Sequence, residues 1–346
     1  MKAIIYEDVN KYKVIKDLEE PKINNQLNVK IKVLYCGICG SDIHKLLFEK
    51  PNKDYVKTKV LGHEITGIVV DKMKNVRDIQ IGDRVVVEPL LYCNNCDMCK
   101  KGYIQFCENL KSLGKDFQGG FAEYLVANEH QLYKINKNVD TKIATLSDPY
   151  SVAMHIVNMI QKKYNGKTNI KIAIIGDGII GMSCAELLLN KENEVIVFGK
   201  HNNRASILKN TNTSYEDIKN INKYLNYFDM IIEAVGGRQS ETLNYAINIS
   251  NKKGIIYVAG VYDNNFVFDI SFRNAFYKEL SIIGCNSFEK EGNTSDFKQA
   301  LNFLSNNSII ANDLISKIYD ISDFPEAIEY IKNREKNECI KVMIKM

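Results

Sequence analysis

Four cysteines crowd one short stretch, Cys93-Asn-Asn-Cys96-Asp-Met-Cys99 followed by Cys107. Thiolates at this spacing can close a tetrahedral shell around one zinc ion within a single loop. A shell of four thiolates leaves no open position, so Cys93, Cys96, Cys99 and Cys107 are expected to hold a lobe together and do no chemistry. Iron–sulfur ligation competes for the same residues, but the last interval is long for the ferredoxin runs. The chain has nine cysteines, an odd number, and at 346 residues it needs no disulfides to hold a core. Clustering of this kind points to metal or redox chemistry in a reducing compartment. Cys36, Cys184, Cys285 and Cys339 sit singly in apolar surroundings and read as core filler.

The length suggests about two domains. With 45% hydrophobic and 25% charged residues the composition is that of a globular protein, which excludes disorder and fibrous repeats. A net charge of +4, with acidic residues interleaved throughout, is too mild to indicate nucleic acid or an acidic membrane surface. No apolar run reaches the roughly 18–20 residues of a spanning helix. The N-terminal stretch turns acidic at Glu7 and Asp8 before a signal-peptide apolar region can form. The chain reads as cytoplasmic.

The first 150 residues carry short β-branched or alternating runs at Lys2–Tyr6, Asn28–Leu34, Gly67–Val70, Arg84–Val87 and Phe121–Val126, parted by turn residues. After Pro149 the texture changes. A helical pattern at Ser151–Gln161 precedes strands and helices in alternation: Ile170–Ile175, Met182–Leu189, Glu194–Phe198, Met230–Ala234, Glu241–Ile249, Gly254–Ala259 and Leu280–Ile283. Alternation of this kind predicts a parallel sheet with right-handed crossovers. Two helices near Ser295–Ser305 and Pro325–Asn333 and a strand at Ile340–Ile344 complete the chain. The predicted class is α/β, a β-rich domain followed by a doubly wound parallel sheet.

Two further constellations carry chemistry. Cys39, His63 and Asp148 supply a thiolate, an imidazole and a carboxylate on separate segments, with Glu64 beside His63. Three protein ligands with a fourth position free for water or substrate is the arrangement of a catalytic zinc. The other is Gly176-Asp-Gly178-Ile179-Ile180-Gly181, which closes a predicted strand and opens a helix. In that setting a G-x-G-x-x-G run is a dinucleotide fingerprint, with the pyrophosphate on the helix N-terminus.

In this order the three features resemble the zinc-dependent medium-chain dehydrogenase/reductase family over essentially the whole chain. The stretches Leu61-Gly-His-Glu-Ile-Thr-Gly67, Pro89-Leu-Leu-Tyr-Cys93 and Gly119-Gly-Phe-Ala-Glu-Tyr124 are similar to its polyol and sugar-alcohol branch, galactitol-phosphate dehydrogenases included. The resemblance implies a GroES-like catalytic domain from residues 1–150, a Rossmann domain at 151–287 and a return of 288–346 to the catalytic domain. It places Cys39, His63 and Asp148 on catalytic-zinc positions and Glu64 on a glutamate that enters or leaves the shell. Ser41 and His44 fall on proton-relay positions, Asp42 behind the ligands, and Lys341 near the coenzyme phosphates. The third ligand is often Cys or Glu in this family; Asp148 is a departure shared with some secondary-alcohol members. A homodimer or homotetramer is also implied.

The expected chemistry is reversible hydride transfer between a secondary alcohol, a polyol or sugar alcohol or its phosphate, and a nicotinamide coenzyme, with zinc polarising the alcohol oxygen. A phosphorylated substrate would need a basic residue facing the cleft, for which Lys45, Lys115, Arg273 and Lys278 are candidates. Two other classes compete, a zinc-free quinone or enoyl reductase of the same architecture and a non-catalytic zinc- or nucleotide-binding protein. Neither has a use for the three-ligand set beside a dinucleotide loop. The coenzyme expectation rests on the end of the second parallel strand, where NAD-preferring domains carry Asp or Glu. Here Gly199 stands there, followed by Lys200, His201 and Arg204. Glycine makes room for a 2′-phosphate and the cations can pair with it, so NADP(H) is expected over NAD(H). The turn resembles the Gly-Ser-Arg turn of NADP-dependent secondary-alcohol members.

Overall fold

A computed structural model describes residues 1–26, 28–48, 59–164, 168–189, 192–263, 266–292 and 294–346. The chain forms two compact units, Met1–Asp148 with Glu289–Met346, and Pro149–Phe288.

The first unit opens with an antiparallel pair, β1 (Ala3–Asp8) and β2 (Lys11–Ile15). Next come β3 (Asn28–Gly37), helix α1 (Gly40–Phe48), β4 (Glu64–Lys72), β5 (Arg84–Val87), β6 (Tyr124–Asn128) and β7 (Leu132–Lys134). In β3 the β-branched residues Val29, Ile31 and Val33 recur at period two and are fully buried, the pattern of a strand with one face on the core. Helix α2 (Ser147–Tyr164) leads out of this unit.

The second unit contains β8 (Lys171–Ile175), α3 (Ile179–Leu187), β9 (Glu194–Gly199), β10 (Ser214–Asp217), β11 (Phe228–Glu233), α4 (Glu241–Ile249), β12 (Ser250–Val258) and β13 (Ser281–Gly284). Its six strands are all parallel in the order β10-β9-β8-β11-β12-β13, so the winding reverses at β8. Four consecutive residues of β8, Ile172 to Ile175, are fully buried, as a strand covered on both faces requires.

The chain then returns to the first unit through α5 (Asp296–Asn306), β14 (Ile315–Asp320), α6 (Phe324–Lys332) and β15 (Lys341–Lys345). Strand β15 inserts between β14 and β3, giving the order β14-β15-β3-β4-β5-β7 with β6 also on β3. Among the described residues no helix is long and apolar enough to cross a membrane.

Several elements differ from the sequence reading. The strand expected at Phe121–Val126 begins at Tyr124. The N–H groups of Gly119, Gly120 and Phe121 are drawn instead to the carbonyls of Val60, Gly62 and Leu61, at 2.9, 2.8 and 3.0 Å. Strand β12 starts at Ser250, four residues before the expected Gly254, and its pairing with β11 is irregular near that start. Helix α1 and strand β14 were not anticipated; β14 is a half-exposed edge strand with no clean alternation.

The fully buried Phe324 ties the returning segment to the N-terminal strands, its ring 5.4 Å from those of both Tyr12 and Phe121. Replacing Phe324 by Ala should cost about 3–5 kcal/mol, read as a lowered midpoint in chemical denaturation.

Candidate active site and metal centres

Cys39 stands just before α1, where its carbonyl accepts from the N–H groups of Asp42 and Ile43 at 3.1 and 3.2 Å. Asp42, in the first turn of that helix, is buried and folds back. Its carboxylate accepts from the N–H groups of Cys39 (3.1 Å) and Gly62 (3.4 Å) and lies 3.4 Å from Nδ1 of His63. Burial alone would raise the Asp42 carboxyl, but His63 outweighs it and holds it below the usual range. Burial alone would likewise lower His63, and Asp42 and Cys39 hold it well above the ordinary value. With Nδ1 turned to Asp42, Nε2 is the nitrogen left for a metal, the carboxylate–imidazole arrangement that orients a ligand. The backbone reaches His63 through Gly62 at φ +90°, where any Cβ would press on Cys36 Sγ at 2.8 Å.

Glu64 opens β4 opposite Gly37, the last residue of β3. Glycine is needed at 37 because a Cβ there would run into the Glu64 carboxylate. The Cys39 thiol, a His63 ring nitrogen and a Glu64 oxygen all lie within 4.8 Å of one another. One S, one N and one O donor at that spacing suit a zinc ion with a position left open. Asp148 is buried in the first turn of α2 and stands outside this trio. Burial pushes its carboxyl up to about 7, with His63 pulling it down and Glu64 adding to the rise. Ser41 and His44 lie three residues apart on α1 and so share a face. The His44 ring is 5.8 Å from that of Phe48.

Lys341 does not take up the position expected of a phosphate ligand. It is 2% exposed at the start of β15, and Nζ donates to both Glu64 oxygens (2.6 and 2.9 Å) and to the Ile38 carbonyl (3.1 Å). Burial would lower its pKa, and the Glu64 charge more than reverses that.

The other cysteines also converge. Thiols of Cys93, Cys96, Cys99 and Cys107 lie within 4.8 Å of one another, those of Cys93 and Cys99 3.9 Å apart. Zn–S bonds of about 2.3 Å place tetrahedral sulfurs about 3.8 Å apart, so the set fits zinc. Asn94, at φ 57°, turns the backbone so that the N–H groups of Asn95 and Cys96 face Cys93 Sγ at 3.5 and 3.3 Å. Those donors pull the Cys93 thiol down to about 6, toward the thiolate a metal needs. The loop is fastened to the returning segment by a hydrogen bond from Lys290 N–H to the Gly102 carbonyl, 2.9 Å.

In the parallel-sheet unit, β8 runs into Gly176 at φ +115°, and Gly178 is the residue before α3. A side chain on Gly181 would collide with the Gly176 carbonyl, whereas one on Gly178 would meet nothing within 4 Å. The approach to Gly178 is therefore open at the helix start, beside Ile179 and Ile180, which suits a pyrophosphate, while Gly181 is buried against the turn.

The end of β9 is not arranged as the sequence suggested. The room left by glycine at 199 is filled by the Asp177 carboxylate and the Tyr215 hydroxyl, into which a Cβ would run. Arg204, 6% exposed, pairs with Asp177 Oδ1 at 2.9 Å, and His201 Nδ1 lies 3.1 Å from Oδ2. Lys200 is exposed. Of the residues considered for a phosphorylated substrate, Lys278 is committed to the carbonyls of Ile247, Asn248 and Ser250, at 2.8, 2.8 and 2.9 Å. The Arg273 guanidinium lies 5.0 Å from the centre of the Tyr277 ring. Sequence reasoning missed Asp177, although a charged residue between two glycines of a phosphate turn was a visible signal. The Glu64–Lys341 pair had none, since 277 positions separate its members.

Residues 25–137 match the family described as Alcohol dehydrogenase GroES-like domain, and residues 158–271 match Shikimate / quinate 5-dehydrogenase. D-arabinitol dehydrogenase 1 of Uromyces fabae is 30% identical, across 100% of this chain and 97% of its own length. D-arabitol-phosphate dehydrogenase of Enterococcus avium is 31% identical, across 95% of this chain and 92% of its own. Among solved structures, a zinc-binding dehydrogenase of Sinorhizobium meliloti 1021 bound to NADP is similar with a TM-score of 0.86 and 25% identity, over 100% of this chain and 99% of that one.

Each donor set predicts its own metal. Cys96→Ser should lose about one equivalent of zinc and lower the melting temperature, because a shell of this kind contributes folding free energy. Cys39→Ser should lose the other equivalent with little change in melting. Elemental analysis beside thermal denaturation checks both, and a single tightly held zinc in pure, active protein would refute the assignment.

Proposed function

The chain belongs to the zinc-type alcohol dehydrogenase family of medium-chain dehydrogenases/reductases, and we propose that within it the protein interconverts a secondary alcohol and its ketone. It is an oxidoreductase that uses a nicotinamide dinucleotide. The proposed substrate is a polyol, a sugar alcohol or a sugar-alcohol phosphate; two relatives named for arabinitol and arabitol phosphate support that class. The convergence of the Cys39, His63 and Glu64 donors carries the reading. A zinc-free quinone or enoyl reductase has no use for that trio.

Zinc held by the trio would supply a Lewis acid for the alcohol oxygen, and the nicotinamide an acceptor for hydride. The chain's own groups handle orientation and the proton. Asp42 orients the His63 ring from behind, and Lys341 orients the Glu64 carboxylate, so both donors are set before substrate arrives. Ser41 is proposed to take the alcohol proton and His44 to pass it to solvent, imidazole being the side chain suited to shuttling near neutral pH. Asp148, buried and outside the trio, is proposed as an alternate ligand that can replace Glu64.

All nine cysteines are outside disulfides, which supports a reducing, cytoplasmic setting. A homodimer or homotetramer is the proposed assembly, and the exposed Phe272, Phe276 and Tyr277, at 66%, 66% and 65%, support an apolar face for it.

A spectrophotometric screen of alcohols, polyols and polyol phosphates should find turnover on at least one polyol or polyol phosphate; no turnover on any would sink the substrate class. On that substrate, His44→Gln should lower kcat at neutral pH by about tenfold or more, and small-base buffers should restore part of it. An unchanged pH profile would remove His44 from the proton route.

A further inference from the structure

The end of the second parallel strand has a carboxylate after all, and it is delivered from another segment. A strand-end Asp or Glu normally faces the adenosine ribose and repels a 2′-phosphate. At Gly199 the space in which such a side chain would grow holds Oδ2 of Asp177, which comes from the turn between β8 and α3. The two acidic residues of β10 are engaged locally. Asp217, paired with Gly199, accepts from the Lys219 N–H at 2.9 Å, and Glu216 accepts from Asn220 Nδ2 at 3.1 Å.

We propose that Asp177 sets the coenzyme preference of this protein, standing in for the strand-end carboxylate and turning the site toward NAD(H). The proposal rests on the dinucleotide-dependent reading above.

Two observations and one difference between the coenzymes carry it. Asp177 is 6% exposed and held in one orientation from several sides. Arg204 Nη1 donates to Oδ1 (2.9 Å) and to the Asp177 carbonyl (2.7 Å), while the Tyr215 hydroxyl and the His201 N–H donate to Oδ2 at 2.8 and 3.1 Å. Arg204, the guanidinium that a 2′-phosphate would need, is thereby already matched to a negative charge inside the fold. A phosphate arriving there meets a fixed carboxylate with Lys200 as the neighbouring uncommitted cation, and displacing Asp177 would strand the buried Arg204. Finally, NAD(H) lacks the 2′-phosphate and loses nothing by the arrangement.

The test is isothermal titration of the purified protein with NAD⁺ and NADP⁺, without alcohol. Wild type should bind NAD⁺ about tenfold or more tightly than NADP⁺, a difference of about 1.4 kcal/mol. Asp177→Asn should shrink that ratio about tenfold, since repulsion falls and Arg204 becomes available. A residue that merely braced the turn would weaken both coenzymes alike and leave the ratio unmoved. Should Asp177→Asn fail to fold, Asp177→Asn with Arg204→Met removes both buried charges, and the ratio should come within about threefold of unity. Tighter binding of NADP⁺ by wild type, or an unchanged ratio in a folded variant, overturns the proposal. Binding of neither coenzyme by wild type refutes the dinucleotide reading itself and the proposal with it.

Discussion

The first unit turns on one buried ion pair. Lys341 and Glu64 are 2% and 1% exposed, and each would be intolerable there alone. Together they satisfy one another, and the third Lys341 hydrogen bond goes to the Ile38 carbonyl. The ends of three strands meet at this point: Gly37 of β3, Glu64 of β4 and Lys341 of β15. The register that brings Glu64 beside Cys39 and His63 is thus the one that buries no unpaired charge. A one-residue slip of β4 would send Glu64 to the opposite face of the sheet and leave Lys341 stranded.

The parallel-sheet unit applies similar logic with a different donor set. Here Asp177 is the hub, and His201 and Arg204 from the segment after β9 and Tyr215 from β10 are held around it. The two hubs differ in how they treat incoming charge. Around Glu64 the carboxylate has a lysine on one side and the thiol and imidazole donors on the other, an arrangement that can share a cation. Around Asp177 the negative charge is already balanced, and a further anion finds little to bind.

Much of the architecture was legible because local chemistry and tertiary role coincide. The apolar run of β8, the glycines after it and the helix at Glu241–Ile249 read directly from spacing. Cysteines at short intervals advertise a metal clamp because few other folds place four thiols together. What could not be read depends on contacts between remote segments. Nothing near position 341 says that its lysine will be buried on Glu64, and the glycine at 199 looked like empty room because its occupant lies more than twenty positions upstream. The same limit hid β14, an edge strand whose pairing with β15 is settled by its neighbour and not by its own alternation.

The order in which the chain emerges from the ribosome has a consequence for these units. All six strands of the parallel sheet lie within residues 149–288, while the first unit still lacks residues 289–346 when that sheet is fully synthesised. The unit that flanks the sheet on both sides is therefore completed only after it. Until β15 arrives, the edge of β3 is uncovered at Tyr35–Gly37 and Glu64 lacks the lysine that neutralises it, the kind of exposed edge and unpaired charge that keeps an unfinished unit loose. With the parallel sheet inserted between its two segments, the first unit waits for a strand made after that whole sheet to bring Lys341 to Glu64.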